Sequence, residues 1–278
     1  MILLPLSHYH LVREPLAKVD VNVLFAYAVV NQDLLGKIFV DSLDAPTVFY
    51  IMHPYGMSLL LGESGHEEFN EALKVYLCNQ DASRKKPEWL QVYPRVWESV
   101  LERLVSGYLC FEGVDYQKIS VMERLNFEFS YEKYSAQKEV IDLGKNAIIQ
   151  TDETLYSAIK GSVIPSHFWD SYRSFEKSSI GFSLVDEKGY PLSTAFCSFI
   201  FNGQLELGIE TDSHYSGKGY AYAVCSALIE YCIKQHLVPV WACSSANLGS
   251  QKLAEKLGFS IAKKRPYYQL PYTKEPYM

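Results

Sequence analysis

The sequence predicts an α/β (α+β) fold in two parts, the second built on a mixed, mostly antiparallel sheet flanked by helices. Three observations carry this prediction. Segments with strand and helix periodicity alternate along the chain. Asn202-Gly203 separates two apolar runs, which is typical of a two-residue hairpin turn. The stretch Ser216-Gly-Lys-Gly-Tyr-Ala221 stands between an apparent strand and an apolar helix. At 278 residues and 48% hydrophobic content, the chain is long enough for two domains.

The first predicted domain, residues 1–135, begins with an apolar segment at 21–30. A Pro/Gly turn at 53–56 separates two apolar runs, which indicates a pair of strands. The further elements follow from hydrophobic spacing. In order they are strands 47–52 and 57–61, a helix at 67–78, a polar loop at 79–87, a strand at 89–93 and a helix at 97–105. No chemical motif stands out in this domain, so its role is unassigned.

The second predicted domain, residues 136–278, begins where alternating aromatic residues give way to a polar stretch. Thr151 is a plausible helix cap, Pro165 suits a helix start, and Gly258 suits a left-handed helix end. The predicted elements are strand 146–151, helices 152–160 and 165–176, strands 180–185, 192–201 and 204–211, helix 219–236, strand 238–243 and helix 248–257.

The glycine-rich stretch at 216–221 is suited to phosphate binding. Glycines allow the backbone close to an anion, and a helix N-terminus offers unpaired N–H groups and the positive end of the helix dipole. Lys218 adds a mobile cation. A glycine pair alone is weak evidence, because any tight strand-to-helix turn can require glycine.

The order of strand, glycine loop, helix, strand and a final Leu257-Gly-Phe259 resembles the acetyl-CoA-binding core of the GNAT N-acyltransferase superfamily. The likeness covers 178–260 best, and it is most similar to the zwittermicin-resistance-like branch. It implies acetyl-CoA as acyl donor, bound without a metal, and suggests that the first domain is a degenerate GNAT-like half. The residues it implies at the cofactor are Ile209, Thr211, Ser216, Gly217, Lys218, Gly219, Tyr220, Ala221, Asn247 and Ser250. Asn247 also fits a helix cap, and the two roles are compatible.

Two positions depart from the family pattern. Ser216 stands where the family usually has Gln or Arg, which removes one side chain near the phosphates and leaves the backbone loop. Ala254 stands where many members have a tyrosine that protonates the leaving thiolate. These departures keep open a second interpretation, a non-catalytic CoA-binding or protein-interaction module.

Glu206 and Glu210 are the candidate general bases. They are four residues apart on one predicted strand and therefore share a face. We favour Glu210 because it is nearer the glycine loop; the alternative is two solvated acids on a polar face. Weaker candidates are His214 beside the loop, His167 and Trp169 near the acceptor pocket, and residues 263–265 near the 3′-phosphate of CoA. Each of these also has a plain packing or surface explanation.

Charge is uneven along the chain. From Ser179 onward there are 9 Lys+Arg and 8 Asp+Glu, a net of +1, and the remainder carries 17 and 24, a net of −7. The acidic balance argues against nucleic acid as a partner, and no apolar run suits a membrane span. Six scattered cysteines without metal-ligand spacing suggest reduced core thiols, with Cys225 and Cys232 on one buried helix face. We therefore expect a cytoplasmic acetyltransferase acting on a primary amine of a small molecule by direct transfer, with homodimer formation left open.

Overall fold

The computed structural model describes residues 1–273, so residues 274–278 of the second predicted domain lie outside the described part of the chain. The structure divides into two compact units. The first contains Met1–Arg124 together with the segment from Lys264 onward, and the second is Leu125–Lys263. The division predicted from the sequence is at 135/136, with the C-terminal segment in the second domain.

The first unit alternates strands with short helices. Its strands are β1 (Ile2–Leu3), β2 (Lys37–Val40), β3 (Val48–Met52), β4 (Met57–Gly62), β5 (Glu88–Tyr93), β6 (Leu109–Cys110) and the first part of β7 (Ile119–Phe129). Its helices are α1 (Arg13–Leu16), α2 (Leu24–Val30), α3 (Glu67–Leu77) and α4 (Val96–Leu104), with 310 turns at Leu6–Val12 and Ser106–Tyr108.

Strand order in this unit is β1-β2-β3-β4-β5, followed by the C-terminal part of β13 (Phe259–Leu270). The predicted hairpin at 53–56 is confirmed, and Gly56 has a positive φ of 97°. Strands β4 and β5 are parallel and stay paired from Met57 opposite Trp89 to Leu61 opposite Tyr93, the last residue of β5. Helix α3 connects these strands. Of the four apolar residues whose spacing predicts it, Phe69, Leu73 and Leu77 are buried and Val75 is exposed.

A buried polar cluster stabilises the first unit. The carboxylate of Glu88 accepts hydrogen bonds from the hydroxyls of Tyr50 and Tyr76 and from Arg84 Nε, the last at 3.0 Å. The Arg84 and Glu88 side chains are 6% and 7% exposed, so this is an ion pair in a low-dielectric interior. Such a pair persists only when its remaining hydrogen bonds are satisfied, which the two tyrosines accomplish.

The second unit contains the end of β7 and then α5 (Tyr131–Gln137), β8 (Ala147–Gln150), α6 (Glu153–Ala158), α7 (Pro165–Phe168), α8 (Tyr172–Ser178), β9 (Gly181–Val185), β10 (Pro191–Phe201), β11 (Gln204–Thr211), α9 (Tyr220–Lys234), β12 (Val238–Ser244), α10 (Leu248–Lys256) and the start of β13. A 310 turn at Ser213–Tyr215 precedes the glycine loop.

The sheet of the second unit has the order β12-β11-β10-β9-β8. All neighbours are antiparallel except β11 and β12. The predicted Asn202-Gly203 hairpin is confirmed, with both residues at positive φ. Helix α9 packs its apolar arc on the sheet, and its Cys225 and Cys232 are fully buried free thiols, as expected.

Two local predictions were wrong. Asp152 rather than Thr151 caps α6, since its carboxylate accepts the Leu155 N–H, while the Thr151 hydroxyl bonds to Ser183 inside the sheet. The helix predicted at 165–176 is two helices, because Trp169 leaves the helical region and Ser171 begins a new capping box. No element was predicted after residue 257, but 259–270 is one strand, whose charged run at 263–265 conceals its alternation.

Within residues 1–273, no helix is both long and apolar enough to cross a membrane. The same residues include no cluster of three or more His, Cys, Asp or Glu side chains arranged to hold a metal ion.

Candidate active site

The candidate site is a cleft between β11 and β12. These parallel strands are paired only where residues 204–206 lie opposite 238–240, although they continue to Thr211 and Ser244. Beyond Glu206 and Val240 the strands part. A cavity of about 770 Å³ lies where they separate. Beyond Glu206, the backbone N–H and C=O groups on this edge of β11 have no hydrogen-bond partner on β12. They are therefore available to an extended ligand.

All of the predicted cofactor-binding residues except Lys218 line this one cavity. They are Ile209, Thr211, Ser216, Gly217, Gly219, Tyr220, Ala221, Asn247 and Ser250. The Lys218 side chain turns back instead, with Nζ 4.8 Å from the ring centroid of Tyr215, in a cation–π contact.

The glycine loop ends at the N-terminus of α9. Gly217 and Gly219 have φ of 77° and 80°, a region that side-chain-bearing residues avoid. Gly219 is the N-cap of this 15-residue helix and provides no side-chain cap. The first N–H groups of α9 therefore have neither an intrahelical nor a side-chain acceptor, and they meet the positive end of the helix dipole at the cavity. Helix N-termini with these two features hold phosphate groups in many proteins.

Helix α10 forms the opposite wall. Asn247 caps it, accepting the Ser250 N–H at 3.0 Å, which confirms the cap interpretation of this residue. The Ser250 hydroxyl accepts a hydrogen bond of 3.0 Å from Trp241 Nε1. Trp241 is 2% exposed and packs at 5.5 Å, ring centroid to ring centroid, against Phe259. Packing of this tryptophan fixes the start of α10 against β12.

Among the described residues, the cations that line the cavity are Lys252 and Lys256 of α10, and neither was predicted as a binding residue. The two lysines are four residues apart in the helix that Asn247 begins, so they share one helix face. This spacing was the sequence signal that could have predicted them. Residues 263–265, the predicted partners of the 3′-phosphate, do not line the cavity. Lys264 and Arg265 instead pair with Glu123 and Asp20, at 3.7 and 3.3 Å.

The two candidate bases are in different environments. Both lie on the face of β11 opposite α9, because Leu205 and Leu207, which alternate with them, pack in the core beneath that helix. Glu206 is 7% exposed and stands at the last paired position before the cleft. Glu210 Oε2 accepts the backbone N–H groups of Ser162 and Val163, both at 2.8 Å.

The remaining candidates have structural roles. Ala254 is fully buried in the core and does not line the cavity. Trp169 is buried and donates from Nε1 to the Cys197 carbonyl at 2.9 Å. His167 is exposed, with Nδ1 3.0 Å from the Ser162 carbonyl oxygen. His214 is also exposed. The carboxylate of Asp212 accepts hydrogen bonds from the His214 backbone N–H and the Tyr190 hydroxyl, which lower the pKa of Asp212 to about 2.

Comparison with solved structures gives the fold. A GCN5-related N-acetyltransferase-like protein from Streptococcus suis matches with a TM-score of 0.71, at 18% identity, over 95% of this chain and 98% of its own. A tandem GNAT protein from the clavulanic acid biosynthesis pathway matches with a TM-score of 0.61, at 7% identity, over 99% of both chains. The fold is thus the GNAT fold in a tandem arrangement, as predicted.

Sequence comparison gives the family. The chain belongs to the GNAT acetyltransferase family, whose model matches residues 15–268. An uncharacterized N-acetyltransferase of Bacillus subtilis, YdfB, is 26% identical over 247 residues, 88% of this chain and 89% of that protein. The protein is accordingly an acetyltransferase, and the alternative of a non-catalytic module loses its support.

Proposed function

We propose that this acetyltransferase moves the acetyl group of acetyl-CoA to a primary amine of a small molecule, by direct transfer within a ternary complex. The observation that carries the proposal is the cleft at the divergence of β11 and β12, closed at one end by the Gly219-capped N-terminus of α9. The shape of this cleft suits a donor with an extended arm at one end and phosphate groups at the other.

The donor fits the cleft from both ends. The pyrophosphate would accept hydrogen bonds from the N–H groups at the start of α9, and Lys252 and Lys256 would add positive charge. The pantetheine arm would run along β11 near Ile209 and Thr211 and take over hydrogen bonds that β12 no longer provides. The thioester would then lie toward Glu206, where the strands begin to separate.

Glu206 is the better placed of the two candidate bases. The amine nitrogen attacks the thioester carbonyl carbon, the C–S bond breaks, and the ammonium proton passes to a base directly or through water. Glu206 stands at the last paired position before the cleft, on the face of β11 away from α9, although its side chain does not line the cavity. Glu210 already uses Oε2 to hold two backbone N–H groups. Ala254 has no proton to give to the leaving thiolate, so either another group or water protonates it, or the thiolate leaves unassisted.

Isothermal titration with acetyl-CoA tests the donor site, with desulfo-CoA and ATP as comparison ligands. We expect a micromolar Kd, about −8 kcal/mol, for acetyl-CoA and desulfo-CoA and much weaker binding of ATP. Gly219→Val should abolish binding, because a branched side chain at this positive φ would occupy the anion site and press on Ile141, 3.2 Å from an added Cβ. Gly203→Ala, at a similar φ in open space, is the matched control. Equal affinity in Gly219→Val and wild type would refute this site.

Four probe amines test the reaction: spermidine, tyramine, L-lysine and kanamycin. We expect one of these amines to cause release of the free thiol of CoA, and its N-acetylated form to cause none. Initial rates at varied concentrations of both substrates should give intersecting reciprocal plots, while parallel plots would exclude direct transfer. Glu206→Gln should lower kcat at least about 100-fold. Relationship to the zwittermicin-resistance-like branch, and homodimer formation, stay predictions.

A further inference from the structure

We infer that Glu210 is a positioning residue, and that the pair Gly161–Glu210 holds the segment 159–164 against the cleft. The segment connects α6 to α7 and contributes Val163 to the cavity wall. This inference rests on the proposed function, because it assigns the acceptor amine to the Val163 side of the cleft.

The hydrogen bonds define the contact. Glu210 Oε2 accepts two backbone N–H bonds of 2.8 Å, from Ser162 and Val163, and the Ser162 hydroxyl lies 3.4 Å from the same oxygen. Bonds to an ionised carboxylate are among the stronger hydrogen bonds in proteins. One oxygen thus ties two consecutive peptide groups to the end of β11.

Gly161 permits this contact. Its φ is 147°, and a Cβ built on it would lie 2.3 Å from Cδ and 2.4 Å from Oε2 of Glu210. No carbon atom can approach a carboxylate so closely, so any side chain at 161 must displace Glu210 or the segment. The chain therefore meets the carboxylate with the one residue that has no Cβ.

The rest of the segment is anchored on both sides of the contact. Ile159 and Ile164 are each 7% exposed, so both are anchored by burial. Residues 161–163 lie between them and face the carboxylate or the cavity. Within the segment, the Ser162 carbonyl oxygen lies 3.0 Å from His167 Nδ1, while Glu210 holds the N–H groups of Ser162 and Val163. Without Glu210, Val163 would lose the hydrogen bond that fixes its backbone beside the cleft.

Hydrogen exchange of the Ser162 and Val163 amides tests the contact directly, with no acceptor needed. Glu210→Ala should speed the exchange of both amides at least tenfold. Glu210→Gln keeps an oxygen acceptor in the same place and should retain most of the protection. Gly161→Ala should behave as Glu210→Ala does. Gly189→Ala, a glycine with φ of 80° and open space around it, reports backbone strain alone.

Kinetics with the most active of the four probe amines separate positioning from base catalysis. For Glu210→Ala we expect the KM of the amine to rise about tenfold while the Kd of acetyl-CoA stays within threefold. Glu210→Gln should keep most of kcat and an unchanged pH profile. Because Gly161→Ala acts by displacing this carboxylate, it should have little further effect in the Glu210→Ala background.

Two results would overturn the inference. Unchanged exchange in Glu210→Ala would show that the carboxylate does not hold the segment. A 100-fold loss of kcat in Glu210→Gln, with normal exchange and KM, would identify Glu210 as the base. Failure of the proposed function is seen separately, as absence of acetyl-CoA binding or of turnover in the wild type, and it leaves the exchange result to decide the contact.

Discussion

Glu206 and Val240 are the last residues paired between β11 and β12, and the cleft begins directly beyond them. In the first unit, the corresponding parallel strands β4 and β5 stay paired to Leu61 and Tyr93, at the end of β5. The helix that follows β4 begins with Glu67 and Glu68, whereas α9 has no acid in its first turn. Both differences oppose anion binding in the first unit, because no gap opens and acids occupy the helix N-terminus.

One acetyl-CoA per chain is the resulting prediction. Titration of the full chain should give a stoichiometry of one, and Gly219→Val should remove the whole heat signal. A stoichiometry of two, or half of the signal remaining in that variant, would mean that the first unit keeps a donor site of its own.

The cations of α10 should contribute to donor affinity. Lys252→Ala and Lys256→Ala should each weaken acetyl-CoA binding by about 0.5–1 kcal/mol, or roughly two- to fivefold, as expected for exposed charges. The loss should shrink in 0.5 M salt because screening weakens the wild-type attraction. Lys234→Ala, an exposed lysine in the last turn of α9 that does not line the cavity, is the control and should bind normally. An equal loss in all three variants would indicate a general charge effect instead.

Features determined by neighbouring residues could be predicted from the sequence. The Asn202-Gly203 turn and the strand–glycine–helix order at 204–234 depend on local backbone preferences, and both are confirmed. The periodicity of α3 and α9 predicted which faces are buried for the same reason.

Features determined by distant residues could not. Glu210 and the 162–163 amides are about fifty residues apart in the chain, and no local pattern relates them. The same limit applies to β13, whose buried Tyr268 and Leu270 pair with β5 far upstream. Lys218 was assigned to the cavity because it lies in the loop, but the ring of Tyr215 provides a nearer partner.

Ala254 occupies a packing position, so restoring the family tyrosine should not restore a general acid. The side chain is fully buried, and Ala254→Tyr would overfill the core, lowering the free energy of unfolding by about 1–3 kcal/mol or more. Urea denaturation measures this loss, and kcat of the folded variant should not rise. Glu255→Tyr, at the exposed neighbouring position, controls for helix propensity. A stable Ala254→Tyr variant with higher kcat would show that this position does reach the thiolate.

His53 should make the first unit sensitive to mild acid. Burial lowers the pKa of this histidine to about 3, and its Nδ1 accepts the Tyr55 N–H at 3.1 Å, which places the ring proton on Nε2. Below pH 6.5 the unfolded chain binds a proton at this residue that the folded chain does not. Stability is therefore lost as pH falls from 6.5 toward 3, by about 1.4 kcal/mol for each pH unit.

His53→Asn isolates this effect, because the asparagine oxygen can take the place of Nδ1 and does not titrate. Between pH 7 and pH 5.5, the wild type should lose about 1 kcal/mol more than His53→Asn in urea denaturation. His236→Asn removes an exposed histidine, at a positive φ that asparagine tolerates, and should change nothing. Parallel pH dependence of the wild type and His53→Asn would mean that His53 takes up its proton in the folded state, which contradicts burial as the controlling influence.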